Sequence, residues 1–161
     1  GMEDRFFADS MLGRLAKWLR ILGYDAQYGR ARTGEALPVQ AADRDRRLLT
    51  RRKELKGRPG VVFIRSDHVG EQLRQLAEEG WIRPDPERAH RRCPVCNSLL
   101  EKADPASARD RVPDYVFHRH APEFRRCPVC DRYFWHGSHR ERMRAQLDAW
   151  GLPGAGYRLP D

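Results

Sequence analysis

Two periods of apolar residues run through the first half of the chain. Phe6-Phe7-Ala8 is an apolar run too short for a helix, so it predicts a strand, and it stops at Asp9. Leu12, Leu15, Ala16, Leu19 and Leu22 then recur at three- and four-residue spacings, which places them on one helical face. Ser10 is positioned to cap the first turn and Gly23 to end the last. A short strand over Tyr24 to Tyr28 follows. A second helical pattern runs from Thr33 to Ala42, with Pro38 close enough to its first turn to be tolerated. Arg47-Leu48-Leu49-Thr50 reads as a third strand, and Arg51 to Leu55 as a helical turn closed by Gly57 and Pro59. Val61-Val62-Phe63-Ile64 is β-branched or aromatic throughout, as expected of a parallel strand buried on both faces. Ser66 or Asp67 then opens a helix bearing Val69, Leu73, Leu76 and Ala77 on one side.

This alternation predicts an α/β fold, a parallel sheet of four or so strands flanked by helices. No internal repeat is present. Around Arg83-Pro84-Asp85-Pro86-Glu87 the composition turns to proline and charge, which marks a boundary between a first domain (residues 2–84) and a second (88–150). Residues 151–161, rich in Gly and Pro, read as a loose tail. Asp9 falls at the carboxyl end of the first strand. Open parallel sheets bind ligands outside that edge, so Asp9 is a candidate metal or substrate group, with helix capping as the alternative.

The second half is organised by cysteine. All four cysteines lie in two identical phrases, Arg92-Cys93-Pro94-Val95-Cys96 and Arg126-Cys127-Pro128-Val129-Cys130. Two C-x2-C knuckles can close a tetrahedral four-thiolate site around a structural zinc ion, which leaves no open position for chemistry. Disulfides and a redox dithiol are the alternatives, and neither calls for a duplicated phrase in a cytosolic chain. The long interval between the knuckles is expected to carry strands of its own, with Tyr115-Val116-Phe117 as one. Beyond the second knuckle, Tyr133-Phe134-Trp135 reads as an aromatic strand, and a helix follows through Met143, Leu147 and Trp150. Aromatics beside arginines can stack bases and hold phosphates, or can form the core of a small ribbon. His139 can cap a helix, bind phosphate or move a proton.

Charge narrows the partners. With 31 Lys and Arg against 23 Asp and Glu, the chain carries a formal charge of +8, which suits a polyanion. RNA is the expected partner, and a protein partner for the basic surface is the alternative. No apolar run approaches the ~20 residues that span a bilayer, and the start of the chain lacks a leader-like apolar core, so no membrane association and a cytoplasmic location are expected.

Several of these residues together resemble a known family. The run Phe7-x-Asp9-x-Met11-Leu12-Gly13-x-Leu15-Ala16-x-Trp18-Leu19-Arg20-x-Leu22-Gly23-Tyr24-Asp25, with Leu48-Leu49-Thr50-Arg51, the paired knuckles and Trp135-x-Gly137-Ser138-His139, is similar to the Mut-seven C-terminal ribonuclease domain family. The resemblance implies a PIN-like nuclease fold with an appended zinc ribbon. It also implies hydrolysis of RNA phosphodiesters by Mg²⁺ or Mn²⁺ held between carboxylates at the ends of the parallel strands. Asp9 matches the first acid of that pattern and Glu35 falls near the second. The third acid, expected after Leu-Leu-Thr-Arg, is replaced by Arg52, a cation that opposes a metal. Asp43, Asp45 and Asp67 are the candidates to substitute for it. Arg14, Lys17, Arg51, Arg52, Trp135 and His139 are the candidate contacts to RNA. A non-catalytic RNA-binding protein is the alternative to a nuclease.

Overall fold

The computed structural model describes residues 5–31, 33–120 and 123–152, with backbone only at residues 119 and 120. The loose tail expected over 151–161 therefore lies, from residue 153 on, outside the described residues. The first half forms β1 (Arg5–Asp9), α1 (Gly13–Ile21), β2 (Asp25–Gly29), α2 (Ala36–Asp43), β3 (Arg47–Thr50), a 3-10 turn (Lys53–Leu55), β4 (Val61–Phe63) and α3 (Val69–Glu78). Its four strands are all parallel, in the order β2-β1-β3-β4. The order reverses between β1 and β3, which makes the crevice at their carboxyl ends the topological switch point.

Both faces of this sheet are buried, as the continuous apolar strands foretold. Alternate residues divide between them: Phe6, Ala8, Leu49 and Val62 join Leu15, Leu19, Leu73 and Leu76 of α1 and α3 on one face. Phe7, Leu48 and Val61 meet Leu37, Ala41 and Leu55 on the other. In the central strands β1 and β3 the side chains thus leave water, about 1.5–3 kcal/mol for each large apolar group, while the edge strand β2 keeps Tyr28 exposed.

The second half begins at the amino edge of the sheet. Gly23 takes φ +93°, and a Cβ there would lie 2.0 Å from the Arg88 carbonyl oxygen, so only glycine lets the α1–β2 turn meet the following segment. Tyr24 Oη accepts from the Arg83 backbone N–H at 2.7 Å, and the His90 N–H donates to the Ile21 carbonyl at 2.9 Å. The Pro-rich stretch read as a domain boundary is therefore stitched to the first domain. Next come β5 (Glu101–Lys102), α4 (Pro105–Ala108), α5 (Asp114–His120), β6 (Arg125–Arg126), β7 (Tyr133–Phe134) and α6 (Ser138–Ala149). The three strands pair antiparallel into a small ribbon in the order β5-β6-β7.

Three expectations need correction. Tyr115-Val116-Phe117 lies in α5 and not in a strand: Pro113 starts a helical turn, and buried Val116 falls four residues after buried Val112. Three apolar residues cannot distinguish the two periods. Ser10 does not cap α1, because its N–H and hydroxyl both turn back to Asp9. The helix through Trp150, assigned to the second domain, packs on the first: Leu147 is buried in the α1/α3 core and Trp150 meets Trp18 edge-on at 4.9 Å. The Trp150 ring also covers Gly70, where a Cβ would come within 2.5 Å of it.

Candidate functional site

Asp9 ends β1 at the switch point and is only 1 % exposed. A buried carboxylate needs every lone pair matched, and this one is supplied entirely by the protein. Its Oδ1 accepts from the Ser10 backbone N–H at 2.6 Å. Its Oδ2 accepts from Thr50 Oγ1 at 2.8 Å and from Arg52 Nε at 2.9 Å. Thr50 closes β3, the neighbouring strand, and its hydroxyl also accepts the Arg52 backbone N–H at 3.1 Å. The sequence marked Ser10 as a helix cap and Thr50 as a strand end, but neither as a partner of Asp9. The signal was present in the Leu-Leu-Thr-Arg run, whose threonine terminates the strand beside β1.

The Arg52 side chain lies across the crevice. A Cβ on Gly34 would meet Arg52 Nη1 at 3.2 Å and Glu54 Oε1 at 3.5 Å, so the loop before α2 packs against the guanidinium with Glu54 alongside. Glu35 follows in that loop, exposed, as the residue before the first turn of α2. The proposed substitutes do not converge on Asp9. Asp43 ends α2 beside the amino edge, where β3 starts, and Asp45 pairs there with Arg5 at 3.8 Å. Asp67 is at the carboxyl edge but 78 % exposed, 3.6 Å from the His68 imidazole. Neither Ser66 nor Asp67 caps α3: His68 is the N-cap residue and no side chain caps its first turn, while Ser66 Oγ accepts the His68 N–H just before the helix. Arg51 donates to the carbonyls of Ile64 and Arg65, which commits it to the end of β4. Among the described residues, no three carboxylates or imidazoles gather closely enough to share a metal ion. The Asp9 centre, filled by a guanidinium and lacking companion acids, does not fit Mg²⁺ or Mn²⁺.

The cysteines do fit a metal. The four Sγ atoms all lie within 4.8 Å of one another, and Cys96 and Cys127 are 3.5 Å apart. A tetrahedron with metal–sulfur bonds of about 2.3 Å requires sulfur–sulfur separations of about 3.8 Å. The two knuckles are built alike. The N–H groups of Asn97 and Asp131 return to the carbonyls of Cys93 and Cys127, and both residues adopt left-handed φ, 73° and 55°. The hydrogen bond with Cys96 first of all pushes the Cys130 thiol up to about 12, whereas Cys96, despite its burial, is brought down to about 6 by hydrogen bonds from Ser98, so a bound cation is what would make Cys130 a thiolate as well.

What differs is where each knuckle points. Asp131 binds Arg111 and Arg126 within the ribbon. Asn97 instead reaches the sheet: its Oδ1 accepts the Ala26 N–H at 3.0 Å, and its Nδ2 donates to Asp25 Oδ1 at 2.7 Å. Arg20 adds bonds to the carbonyls of Ala26, Pro94 and Val95. The metal knuckle thereby occupies the outer edge of β2. Burial alone would raise Asp25, but hydrogen bonds from Arg46 and Asn97 outweigh it and hold the carboxyl below the ordinary carboxylate value.

Of the candidate RNA contacts, Arg14 and Lys17 are exposed on α1. Lys17, Trp135 and His139 share a cleft of about 630 Å³ between α1 and the ribbon. His90 and Arg125, which the sequence did not single out, line it too. No described helix is long and apolar enough to cross a membrane.

No curated protein and no solved structure gives a significant match to this chain. A family model described as the Mut7-C RNAse domain matches residues 4–147, taking in β1 with Asp9, the switch-point crevice, both knuckles and most of α6. The chain belongs to the Mut7-C RNAse domain family.

Proposed function

We propose that this chain is an RNA-binding member of its ribonuclease family in which the Asp9 centre does not cleave, and that its cysteine cluster holds a structural zinc. The observation that carries the first part is the Arg52 guanidinium, 2.9 Å from the buried Asp9 carboxylate, in the position a cation would need. With that carboxylate paired to Arg52, the crevice has no group of acids gathered to hold a metal against a phosphodiester. Family membership and the +8 charge support RNA as the ligand. Four thiolates closed around one site support zinc in a structural role.

The competing reading is metal-dependent hydrolysis, favoured by the placement of Asp9 at the switch point. It requires Arg52 to leave Asp9. One experiment separates the two: Mn²⁺ binding and cleavage of labelled RNA by the wild type, Asp9→Asn and Arg52→Asp. RNA binding without cleavage by the wild type, with Mn²⁺ uptake appearing only in Arg52→Asp, is the expected result. Cleavage by the wild type that Asp9→Asn abolishes would establish the nuclease.

A further inference from the structure

The cleft between α1 and the ribbon is not on the rim that carries Asp9. In a parallel sheet β1 runs from the amino to the carboxyl edge, and α1 returns from the Asp9 rim to the amino edge, where the metal knuckle docks. Lys17 and Ile21, from the middle and end of α1, form one wall of the cleft. The opposite wall comes from β7 and the start of α6.

We propose that this cleft grips a single-stranded segment of RNA, and that the strand leaves it along Lys17 and Arg14 toward the Asp9 rim. The inference rests on the RNA-binding reading above and adds where the strand lies and how much of it the site spans. Lys17, Arg92, Arg125 and Arg140 line the cleft against two carboxylates, Glu123 and Glu141, which gives the site an excess of positive charge for phosphates. The half-buried rings of Phe134 and Trp135 and the 75 % exposed Tyr115 offer apolar faces to bases. A duplex hides its base faces in the stack, so aromatic walls of this kind serve unpaired strands. Burial pushes His90 down to about 3, helped by Arg140, His136 and Arg125, so its imidazole is neutral at pH 7 and can both donate to and accept from a base edge.

The track out of the cleft is set by helix geometry. Arg14 and Lys17 are three residues apart on the exposed face of α1, so they are neighbours, with Arg14 one turn nearer the rim. The 9 residues of α1 span about 14 Å, the length of about four nucleotides at the compact spacing of about 3.4 Å in a stacked strand and of fewer in an extended one. A strand of about 8 nucleotides is therefore long enough to occupy the cleft and the helix together.

The test is anisotropy of the metal-loaded full chain with labelled single-stranded RNA of about 4, 8 and 12 nucleotides and with a duplex, over a salt series. Lys17→Glu and Arg125→Glu are each expected to weaken single-strand binding about fivefold or more. Each should also lower the salt slope by about 0.7. Arg58→Glu, in the loop before β4, carries the same charge change and should stay within twofold. Affinity should rise between about 4 and 8 nucleotides and then level off. Equal losses in all three variants, or duplex binding as tight as single-strand binding, would overturn the cleft while leaving RNA binding in place. No binding by the wild type at any salt would overturn the RNA reading itself. Photocrosslinking of wild-type protein to 4-thiouridine RNA needs no variant to fold. Adducts at Tyr115 or Phe134 are expected, and adducts confined to other surfaces would reject the site.

Discussion

The same sheet holds two aspartates that each meet an arginine, one at either edge, and the two pairs serve different ends. At the amino edge, Arg46 is 5 % exposed and donates to Asp25 Oδ1 at 2.6 Å and to the Phe6 carbonyl at 3.2 Å. Asn97 of the metal knuckle shares that carboxylate, so the pair joins three segments distant in sequence. At the carboxyl edge, Arg52 is 34 % exposed and reaches Asp9 from the crevice side. The first pair is enclosed and clasps the two halves of the chain together. The second borders an open crevice at the switch point, where the guanidinium stands in for a charge that the fold would otherwise recruit from solution. Residue type alone does not distinguish them; the partners around each carboxylate do.

Three experiments sharpen this contrast. The largest effect should follow metal removal. Chelation, or Cys127→Ser, is expected to unfold the ribbon over residues 91–135 and to release Asn97 from Asp25, since the binding free energy of a structural zinc site is about 10–16 kcal/mol. Hydrogen exchange should then rise at Ala26 on the edge of β2 and change little at Thr50. Unchanged metal content in Cys127→Ser would refute the ligand assignment.

Next in size is the loss of one partner from each pair. Arg46→Ala removes the shortest bond to Asp25 and the donor to the Phe6 carbonyl, leaving Asn97 and the longer pairs to Arg5 and Arg92, and should cost about 3 kcal/mol in urea unfolding. Arg52→Ala, with its arginine one-third exposed, should cost less, about 1–3 kcal/mol, because Thr50 and Ser10 still satisfy Asp9. Equal losses would show that the two pairs contribute alike to the fold.

The smallest effect is on acid stability. Asp25 has a lowered folded-state value, so its contribution is present above the unfolded value of about 3.9 and is lost as pH falls below that through the folded value. Asp25→Asn should flatten the stability profile in that acid range while lowering stability at pH 7. A variant whose acid limb matches the wild type would show that other groups govern it.

Much of the fold was legible because burial on both sheet faces writes a continuous signal. The run Val61 to Ile64 and the spacing of Leu12, Leu15 and Leu19 admit few alternatives. The cysteine phrases were equally plain, since thiolate ligation needs a fixed local turn that the repeated Cys-Pro-Val-Cys supplies. Asp9 was legible as the end of a strand. Its partners were not, because Thr50 ends, and Arg52 follows, a strand that pairs with β1 only after the chain has crossed over twice. Tyr115 to Phe117 was misread because three apolar residues carry no period. The docking of Trp150 on Gly70 was missed because a glycine inside an amphipathic helix gives no hint of what covers it.

By itself, then, the order of residues determined which segments form strands and helices, which four sulfurs can share an ion, and which acid ends the first strand. These are local properties, decided by periodicity and side-chain chemistry within a few residues. Tertiary structure alone decided that Arg52 reaches Asp9, that Asp43 and Asp67 do not, and that Asn97 ties the metal knuckle to the edge of β2. It also decided that Lys17 and Trp135 face one cleft. Those outcomes depend on distances between segments far apart in the chain, and such distances exist only once the sheet has paired and both its faces are covered.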